Sequence, residues 1–125
     1  MSIRISLPIP CSSNNAYVNR KPFGATGSRT FRGGRFPSQE HKVWRKAAGY
    51  ELIAAKPANI TVKYTFHIML PMGMRGDVSN RIKLAEDLLV EHGIIPDDSN
   101  CVDARASRSE DVPKGRCVVI VEAAP

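Results

Sequence analysis

Hydrophobic and polar residues alternate in two segments of the chain, and a period of two predicts β-strands. The alternation is most regular over residues 60–68, where five apolar or aromatic side chains share one face. Residues 3–7 show the same pattern near the start of the chain. Two further strands are predicted over residues 101–107 and 116–122, because a polar loop rich in turn-forming residues separates these two segments.

Two longer segments have the helical spacing of apolar residues instead. Residues 39–55 are predicted to form a helix that Ser38 caps and that ends before Pro57. Its expected apolar face consists of Val43, Ala47, Leu52 and Ala55, with Trp44 and Ala48 beside it. Residues 79–92 predict a second helix, which Gly93 stops. The expected buried side of this helix is formed by Val78, Ile82, Ala85, Leu88 and Leu89.

Strands and helices are mixed along one chain, which indicates an α+β fold. Because 125 residues make one domain, we expect residues 1–125 to form a single domain with a small mixed sheet and two main helices. No apolar run is long enough to span a bilayer, and the first residues fit a strand better than a secretory signal. We therefore expect no membrane partner.

Charge is distributed unevenly along the chain. The chain has 18 Lys and Arg against 12 Asp and Glu, with a net charge of +6. Residues 1–76 contain twelve basic and two acidic residues, whereas residues 77–125 contain six basic and ten acidic residues. Six of the basic residues are concentrated in one segment: Arg20, Lys21, Arg29, Arg32, Arg35 and Lys42. This balance favours a polyanionic partner, although many soluble proteins share it.

Residues 18–37 have no apolar period and contain several glycines and prolines, so we predict a long basic, flexible loop. Two interpretations remain open. The segment is either a solvated loop or an arm that binds phosphates and becomes ordered on nucleic acid. Three phenylalanines lie between the cations, where they would stack on bases or fold back onto the core: Phe23, Phe31 and Phe36.

The cysteines argue for a reducing compartment. Cys11, Cys101 and Cys117 are an odd number without a C-x-x-C pair, which argues against a disulfide scaffold and a zinc finger. We expect a cytoplasmic protein.

Candidate chemistry surrounds the second predicted helix. Asp77 precedes this helix, Lys83 lies on it, and Asp97 and Asp98 follow it. Carboxylates from two loops can share Mg²⁺, because hard divalent cations bind oxygen ligands, and Mn²⁺ is an alternative. Two such ions activate a water and stabilise the leaving oxygen in phosphodiester hydrolysis, and a nearby lysine stabilises charge on the phosphate.

The same residues also have ordinary structural interpretations. Asp77 or Ser79 would cap the helix, since both residue types are preferred there. Residues 97–100 are typical of a turn. Lys83 and Asp87 are four residues apart, which would place an ion pair on the helix surface. Spacing alone does not decide between these interpretations and a metal site.

Three segments together resemble one family. Residues 75–83 read Arg-Gly-Asp-Val-Ser-Asn-Arg-Ile-Lys, and the Asp-Asp pair at 97–98 follows them. Residues 7–17 read Leu-Pro-Ile-Pro-Cys-Ser-Ser-Asn-Asn-Ala-Tyr. These segments resemble the Asp-x-Asp-Asn-x-x-Lys motif, the later Asp-Asp pair and the opening Pro-x-Pro-x-Ser-x-Asn signature of RusA-type Holliday junction resolvases. The combined spacing is more specific than either motif alone.

The resemblance implies a RusA-like, homodimeric, Mg²⁺-dependent endonuclease that makes paired nicks in four-way DNA junctions. It implies catalytic roles for Asp77, Lys83 and Asp98, and metal coordination by Asp77, Asp97 and Asp98. The basic segment and the resemblance together assign DNA contact to a larger set: Asn14, Asn15, Arg20, Lys21, Arg29, Arg32, Arg35, Arg75 and Asn80.

Ser79 departs from the family pattern, which has a second aspartate at this position. A hydroxyl is a weaker and neutral ligand for Mg²⁺. Glu86 lies seven residues further on, about 10.5 Å along a helix, which is too far for direct replacement. Two functions therefore stay open: a structure-selective nuclease that tolerates Ser79, and a junction-binding dimer with weak or no catalysis. An RNA partner is a third interpretation, but the sequence shows no RNA-binding motif.

Overall fold

The computed structural model describes residues 1–12, 16 and 37–125 in full, and the backbone alone of residues 17–20, 23–24, 30–31 and 34–36. Along the chain the elements are β1 (Ser2–Pro8), β2 (Tyr17–Arg20), β3 (Phe23–Gly24), β4 (Thr30–Phe31), β5 (Gly34–Pro37), α1 (Gln39–Ala55), β6 (Tyr64–Pro71), a 3₁₀ helix (Val78–Arg81), α2 (Ile82–Glu91), a second 3₁₀ helix (Asp98–Asn100), β7 (Cys101–Ser109) and β8 (Arg116–Ala123).

A mixed four-stranded sheet organises the fold, in the order β1-β8-β6-β7. β6 and β7 are parallel, whereas β8 pairs antiparallel with both β1 and β6. The core includes side chains from the sheet and from both helices, among them Leu7, Leu52, Phe66 and Leu88. The predicted α+β class with a mixed sheet and two main helices is therefore confirmed.

The four strands of this sheet are those that the sequence predicts, and the largest difference in their bounds is at β6. This strand begins at Tyr64 rather than at residue 60, and it ends later, at Pro71. Ile60 is buried, but its backbone N–H donates to the Ile94 carbonyl at 2.8 Å instead of to a neighbouring strand. The predicted alternation does not continue before Tyr64, because Val62 is 53% exposed and Ile60 packs into the core from a connecting segment.

Helix α1 has the predicted bounds, and Ser38 caps it by accepting a hydrogen bond from the His41 N–H at 3.1 Å. Of the four residues of the predicted apolar face only Leu52 is buried, so the centre of that face is wrong, whereas Trp44 and Ala48, predicted beside it, are buried. The buried side is formed by His41, Trp44, Ala48, Gly49 and Leu52. The indole of Trp44 fixes this orientation of the helix. Its Nε1 donates a hydrogen bond to the Pro8 carbonyl at 2.8 Å, and its ring is buried.

The second predicted helix is divided into the 3₁₀ helix and α2. Ala85, Leu88 and Leu89 are buried as expected, and Val78 and Ile82 pack against the core while partly exposed. Gly93 follows the helix with a φ of 72°, a left-handed conformation that glycine adopts without strain. Leu84 and Glu86 are buried in addition, so the buried side is wider than predicted.

The basic segment is not the continuous loop that its composition predicts. β2 pairs with β5, and β3 pairs with β4, both in antiparallel register. The inner pair lies within the outer pair in sequence, which is the arrangement of a hairpin arm. The absence of an apolar period therefore did not reveal these strands, because short ladders depend on backbone hydrogen bonds, and the flexibility of the segment stays a prediction.

All three cysteines are free thiols, with Cys11 and Cys117 buried. Burial raises the pKa of the Cys117 thiol to about 12. In the part of the chain that the structure describes, no helix is both long and apolar enough to cross a membrane.

Lys56 supplies a test of the backbone at the end of α1. Its φ is 46°, and its N–H donates to the Leu52 carbonyl at 3.2 Å. Lys56→Gly is expected to raise the free energy of unfolding by about 0.5–1 kcal/mol, since glycine removes the steric cost of the left-handed conformation. Lys46→Gly, within the same helix, is the control and should lower it by about 1 kcal/mol. Urea unfolding that shows both variants equally destabilised would contradict this account of the helix end.

Candidate active site

Asp77, Lys83 and Asp98 all lie in the connection that crosses from β6 to its parallel neighbour β7. A parallel pair requires such a crossover, and here it contains the first 3₁₀ helix, α2 and the second 3₁₀ helix. The three predicted chemical residues therefore belong to one structural unit. Asp77 begins that unit, Lys83 is in the first turn of α2, and Asp98 begins the last short helix.

Asp77 is the N-cap of the first 3₁₀ helix. Its Oδ1 accepts hydrogen bonds from the Ser79 N–H at 3.0 Å and from the Ser79 hydroxyl at 2.8 Å. The hydroxyl and then the N–H lower the pKa of Asp77, because both stabilise the ionised form. The capping interpretation of Asp77 is thus confirmed, and the same contacts keep an exposed, ionised carboxylate at the helix start.

Arg108 positions the loop before Asp77. From the end of β7, its Nη2 donates to the Gly76 carbonyl at 2.7 Å and to the Met74 carbonyl at 3.3 Å. Gly76 has a φ of 94°, so the turn that these contacts hold requires a glycine. The sequence analysis missed Arg108, because the pairing of β7 with β6 brings it here from 32 residues away and no local pattern reports that distance.

Lys83 joins two carboxylates. Its Nζ lies 2.6 Å from Asp98 Oδ2 and 2.9 Å from Asp87 Oδ1. The Lys83 ammonium lowers the pKa of Asp98, and the two carboxylates, Asp98 first, raise the pKa of Lys83. The predicted surface pair with Asp87 is confirmed. The contact with Asp98 is additional, and it brings together two of the three residues expected to be catalytic.

The carboxylate and the backbone carbonyl of Asp97 both accept hydrogen bonds from other side chains. Its carboxylate Oδ2 accepts a hydrogen bond from the Ser99 hydroxyl at 3.1 Å, and its backbone carbonyl accepts from the Tyr64 hydroxyl at 3.3 Å. These contacts are typical of a turn that precedes a short helix. They place Asp97 next to Asp98 without bringing it to Lys83.

Behind these residues lies a buried carboxylate that the sequence analysis did not place in the site. Glu86 is 6% exposed and accepts a hydrogen bond from the Tyr64 hydroxyl at 2.8 Å. Burial, and then the bond to Glu86, raise the pKa of Tyr64 well above its ordinary range. Burial, followed by Glu86, also raises the pKa of the neighbouring Cys101 thiol. Tyr64 thus connects β6 to both α2 and the loop that holds Asp97 and Asp98.

The oxygen donors fit a hard divalent cation in type. Asp77 and Asp98 are exposed carboxylates with lowered pKa values, so they are ionised near neutral pH. Among the described residues, however, no three His, Cys, Asp or Glu side chains gather closely enough to form a ready metal centre. Ser79 stands where the motif that the sequence resembles has a second aspartate, and its hydroxyl donates a hydrogen bond to Asp77.

The residues expected to contact DNA are only partly described. Arg75 is exposed in the loop before Asp77, and Asn80 is half-buried in the first 3₁₀ helix. Arg20 and Arg35 lie on the paired strands β2 and β5, where the backbone alone is described. The remaining predicted contacts lie outside the described residues: Asn14, Asn15, Lys21, Arg29 and Arg32.

No protein-family model and no curated protein matches the chain. The functional interpretation therefore depends on the motif residues and on where the fold places them.

The two hydrogen bonds from Ser79 predict a pKa change at Asp77. Ser79→Ala should raise the pKa of Asp77 toward the ordinary aspartate value, because it removes a donor to the ionised form and leaves the N–H in place. A carboxyl-carbon NMR titration measures this shift. Ser99→Ala removes the equivalent bond to Asp97 and is the control, which should leave the Asp77 titration unchanged. An unaltered Asp77 curve in Ser79→Ala would contradict the assignment.

The Tyr64–Glu86 bond predicts a loss of stability. Tyr64→Phe should lower the free energy of unfolding by about 1–3 kcal/mol, since it leaves the buried Glu86 carboxylate without this donor. Tyr50→Phe makes the same chemical change on a side chain that is 64% exposed, and it should alter stability by less than about 0.5 kcal/mol. Equal effects of the two variants in urea unfolding would show that the buried bond does not stabilise the crossover.

Proposed function

We propose that the chain is a RusA-type, structure-selective endonuclease that resolves four-way DNA junctions by paired, Mg²⁺-dependent phosphodiester hydrolysis. The observation that carries the proposal is the 2.6 Å contact between Lys83 and Asp98, two motif residues 15 positions apart that meet on one exposed surface. Asp77 begins the same crossover from its other end. The proposal includes a cytoplasmic location and a homodimer. In a homodimer each protomer would nick one of two opposed strands.

Asp77 and Asp98 are the residues that would hold Mg²⁺, with the Ser79 hydroxyl or Asp97 as further oxygen donors. When bound, the metal supplies a lowered pKa for a coordinated water and stabilises charge on the phosphate oxygens. Both carboxylates are ionised near neutral pH, because donors from Ser79 and Lys83 lower their pKa values. They are thus negatively charged under the conditions in which a metal would bind.

Lys83 contributes a permanent positive charge beside these carboxylates. Its raised pKa keeps the ammonium protonated throughout the neutral range. In the free protein the ammonium is paired with Asp87 and Asp98, and both pairs are exposed to solvent. An incoming phosphate competes with these two carboxylates for the ammonium. Lys83 then orients the phosphate next to Asp98 and stabilises the charge that develops on the phosphate.

The basic arm formed by β2 to β5 is the proposed DNA-binding element. Its strands and connections contain Arg20, Lys21, Arg29, Arg32 and Arg35. Positive charge along this segment suits contact with phosphates on both sides of a branch point. The acidic half of the chain carries the proposed metal ligands, so the two functions are divided between the two halves.

A junction-binding protein without catalysis is the second candidate, and the observation that favours it is Ser79. This residue removes one carboxylate from the site, and its hydroxyl proton is directed to Asp77 rather than outward. Fewer negative ligands weaken the binding of a divalent cation. Binding to DNA through the basic arm does not require that carboxylate.

Asp98→Asn separates the two candidates. If the chain is a nuclease, this variant should reduce the nicking rate on a four-way junction about 100-fold or more, because a metal ligand contributes several kcal/mol to the transition state. Its affinity for the junction, measured by gel shift in EDTA, should stay within about threefold of the unchanged protein. Nicking products on denaturing gels give the rate.

Asp103→Asn is the matched control, because it makes the same chemical change at a residue that is not a proposed metal ligand. Asp103 lies beside Thr65, on the face of the sheet opposite the core-facing Phe66. It should nick at the rate of the unchanged protein. Undiminished nicking by Asp98→Asn would remove Asp98 from the catalytic role. Binding without nicking by the unchanged protein, with nicking restored by Ser79→Asp, would favour the second candidate.

A further inference from the structure

A cavity of about 860 Å³ opens beside the candidate active site. It lies between the loop that follows β6 and the turn that joins β7 to β8. Its volume falls within the roughly 300–1,000 Å³ range of sites that bind small molecules or single groups of larger ones. Arg75 lines the cavity and is separated from Asp77 only by Gly76, so the cavity and the proposed metal ligands adjoin along the chain.

Several of the residues that line the cavity are apolar, and they are here called its apolar wall: Ile9, Pro71, Met72, Met74 and Val112. Met72 is 52% exposed and lines the cavity, so its thioether is accessible to a ligand there. Thioethers make favourable contacts with aromatic rings and adjust to their shape. A flat, heteroaromatic ring suits this wall.

The lining residues also include three cations, here called the charged wall, and Glu110 is the single acidic residue among the described lining residues. The cations are Arg75, Arg81 and Lys114. The Nε and Nη1 atoms of Arg81 are buried, and neither has a hydrogen-bond partner among the described residues. A guanidinium remains charged at any ordinary pH, so leaving two of its nitrogens desolvated and unpaired is unfavourable. An anion at this wall would offset that cost.

We propose that this cavity binds one unstacked nucleotide at the branch point of a DNA junction. The base lies against Met72 and Met74, and its phosphate is bound by Arg75, Arg81 and Lys114. Bases at a branch lack one stacking neighbour, which makes them less costly to displace than bases within a duplex. The inference rests on the proposed function and extends it, because it assigns recognition of the branch to a surface adjoining Asp77.

The test uses the full chain and a synthetic four-way junction in EDTA, with 2-aminopurine placed either at the branch point or in the middle of one arm. Binding should raise the fluorescence at the branch severalfold and leave the mid-arm signal unchanged. Met72→Ser should remove the branch signal and weaken junction affinity by up to about tenfold, the upper range for loss of a thioether–ring contact. Val102→Ser is the control, since Val102 is 55% exposed on β7 and outside the cavity.

The charged wall is tested separately, by the salt dependence of junction affinity. Lys114→Gln should reduce the slope of log affinity against log salt by about one, as expected when one phosphate contact is lost. Lys63→Gln, an exposed lysine away from the cavity, should leave the slope unchanged. Free deoxynucleoside monophosphate and inorganic phosphate at micromolar concentration should not remove the branch signal, because the nucleotide is held by the rest of the junction.

The outcomes distinguish the inference from the function on which it rests. If the junction is bound but the branch signal is flat, or Met72→Ser binds like the unchanged protein, the cavity proposal is overturned and the proposed function remains. Displacement of the signal by micromolar free nucleotide or phosphate also overturns it, since the cavity would then be a small-anion site. If the junction is not bound at all, the proposed function fails and the inference fails with it.

Discussion

The hydrogen bond from Tyr64 to the buried carboxylate of Glu86 is the constraint on which the candidate site depends. A carboxylate on the core side of α2 is unfavourable unless a donor satisfies it, and the donor comes from the first residue of β6. Together with the buried apolar side chains of α2, this contact fixes which side of the helix faces the core. Lys83 lies three residues earlier, on the same side of α2, and its long side chain reaches the exposed carboxylate of Asp98 at 2.6 Å. Tyr64 also donates to the Asp97 carbonyl, so one hydroxyl positions both the helix and the loop.

Two kinds of electrostatic environment therefore lie side by side in the crossover. Glu86 is buried and its bond to Tyr64 is structural, whereas Asp77 and Asp98 are exposed and hydrogen-bonded to groups that keep them ionised. Exposed ion pairs contribute little to stability, because solvent screens them. A cation and a phosphate can therefore replace the ion pairs of Lys83 at little cost in stability. The bond from Tyr64 to Glu86 is retained and keeps α2 in position.

The sequence predicted the elements better than their orientation or their long-range contacts. The four strands of the main sheet, both helices and the Ser38 cap follow from local periodicity and capping chemistry, which short segments determine. The wrong face of α1 was predicted because Val43 and Ala47 fit the helical spacing, whereas the bond from Trp44 to Pro8 settles the orientation across 36 residues. The motif located Asp77, Lys83 and Asp98, but no spacing rule reports that Arg108 holds the loop before Asp77. Those contacts exist only once β6 and β7 pair.

The most direct measurement of the central claim is strand mapping of nicks made by the unchanged protein on a mobile four-way junction, compared with a linear duplex of the same sequence. The account predicts symmetric nicks near the crossover that appear with Mg²⁺, disappear with EDTA and are absent from the duplex. Nicks of equal frequency in the duplex, or nicks that persist in EDTA, would contradict a metal-dependent site that selects branched DNA.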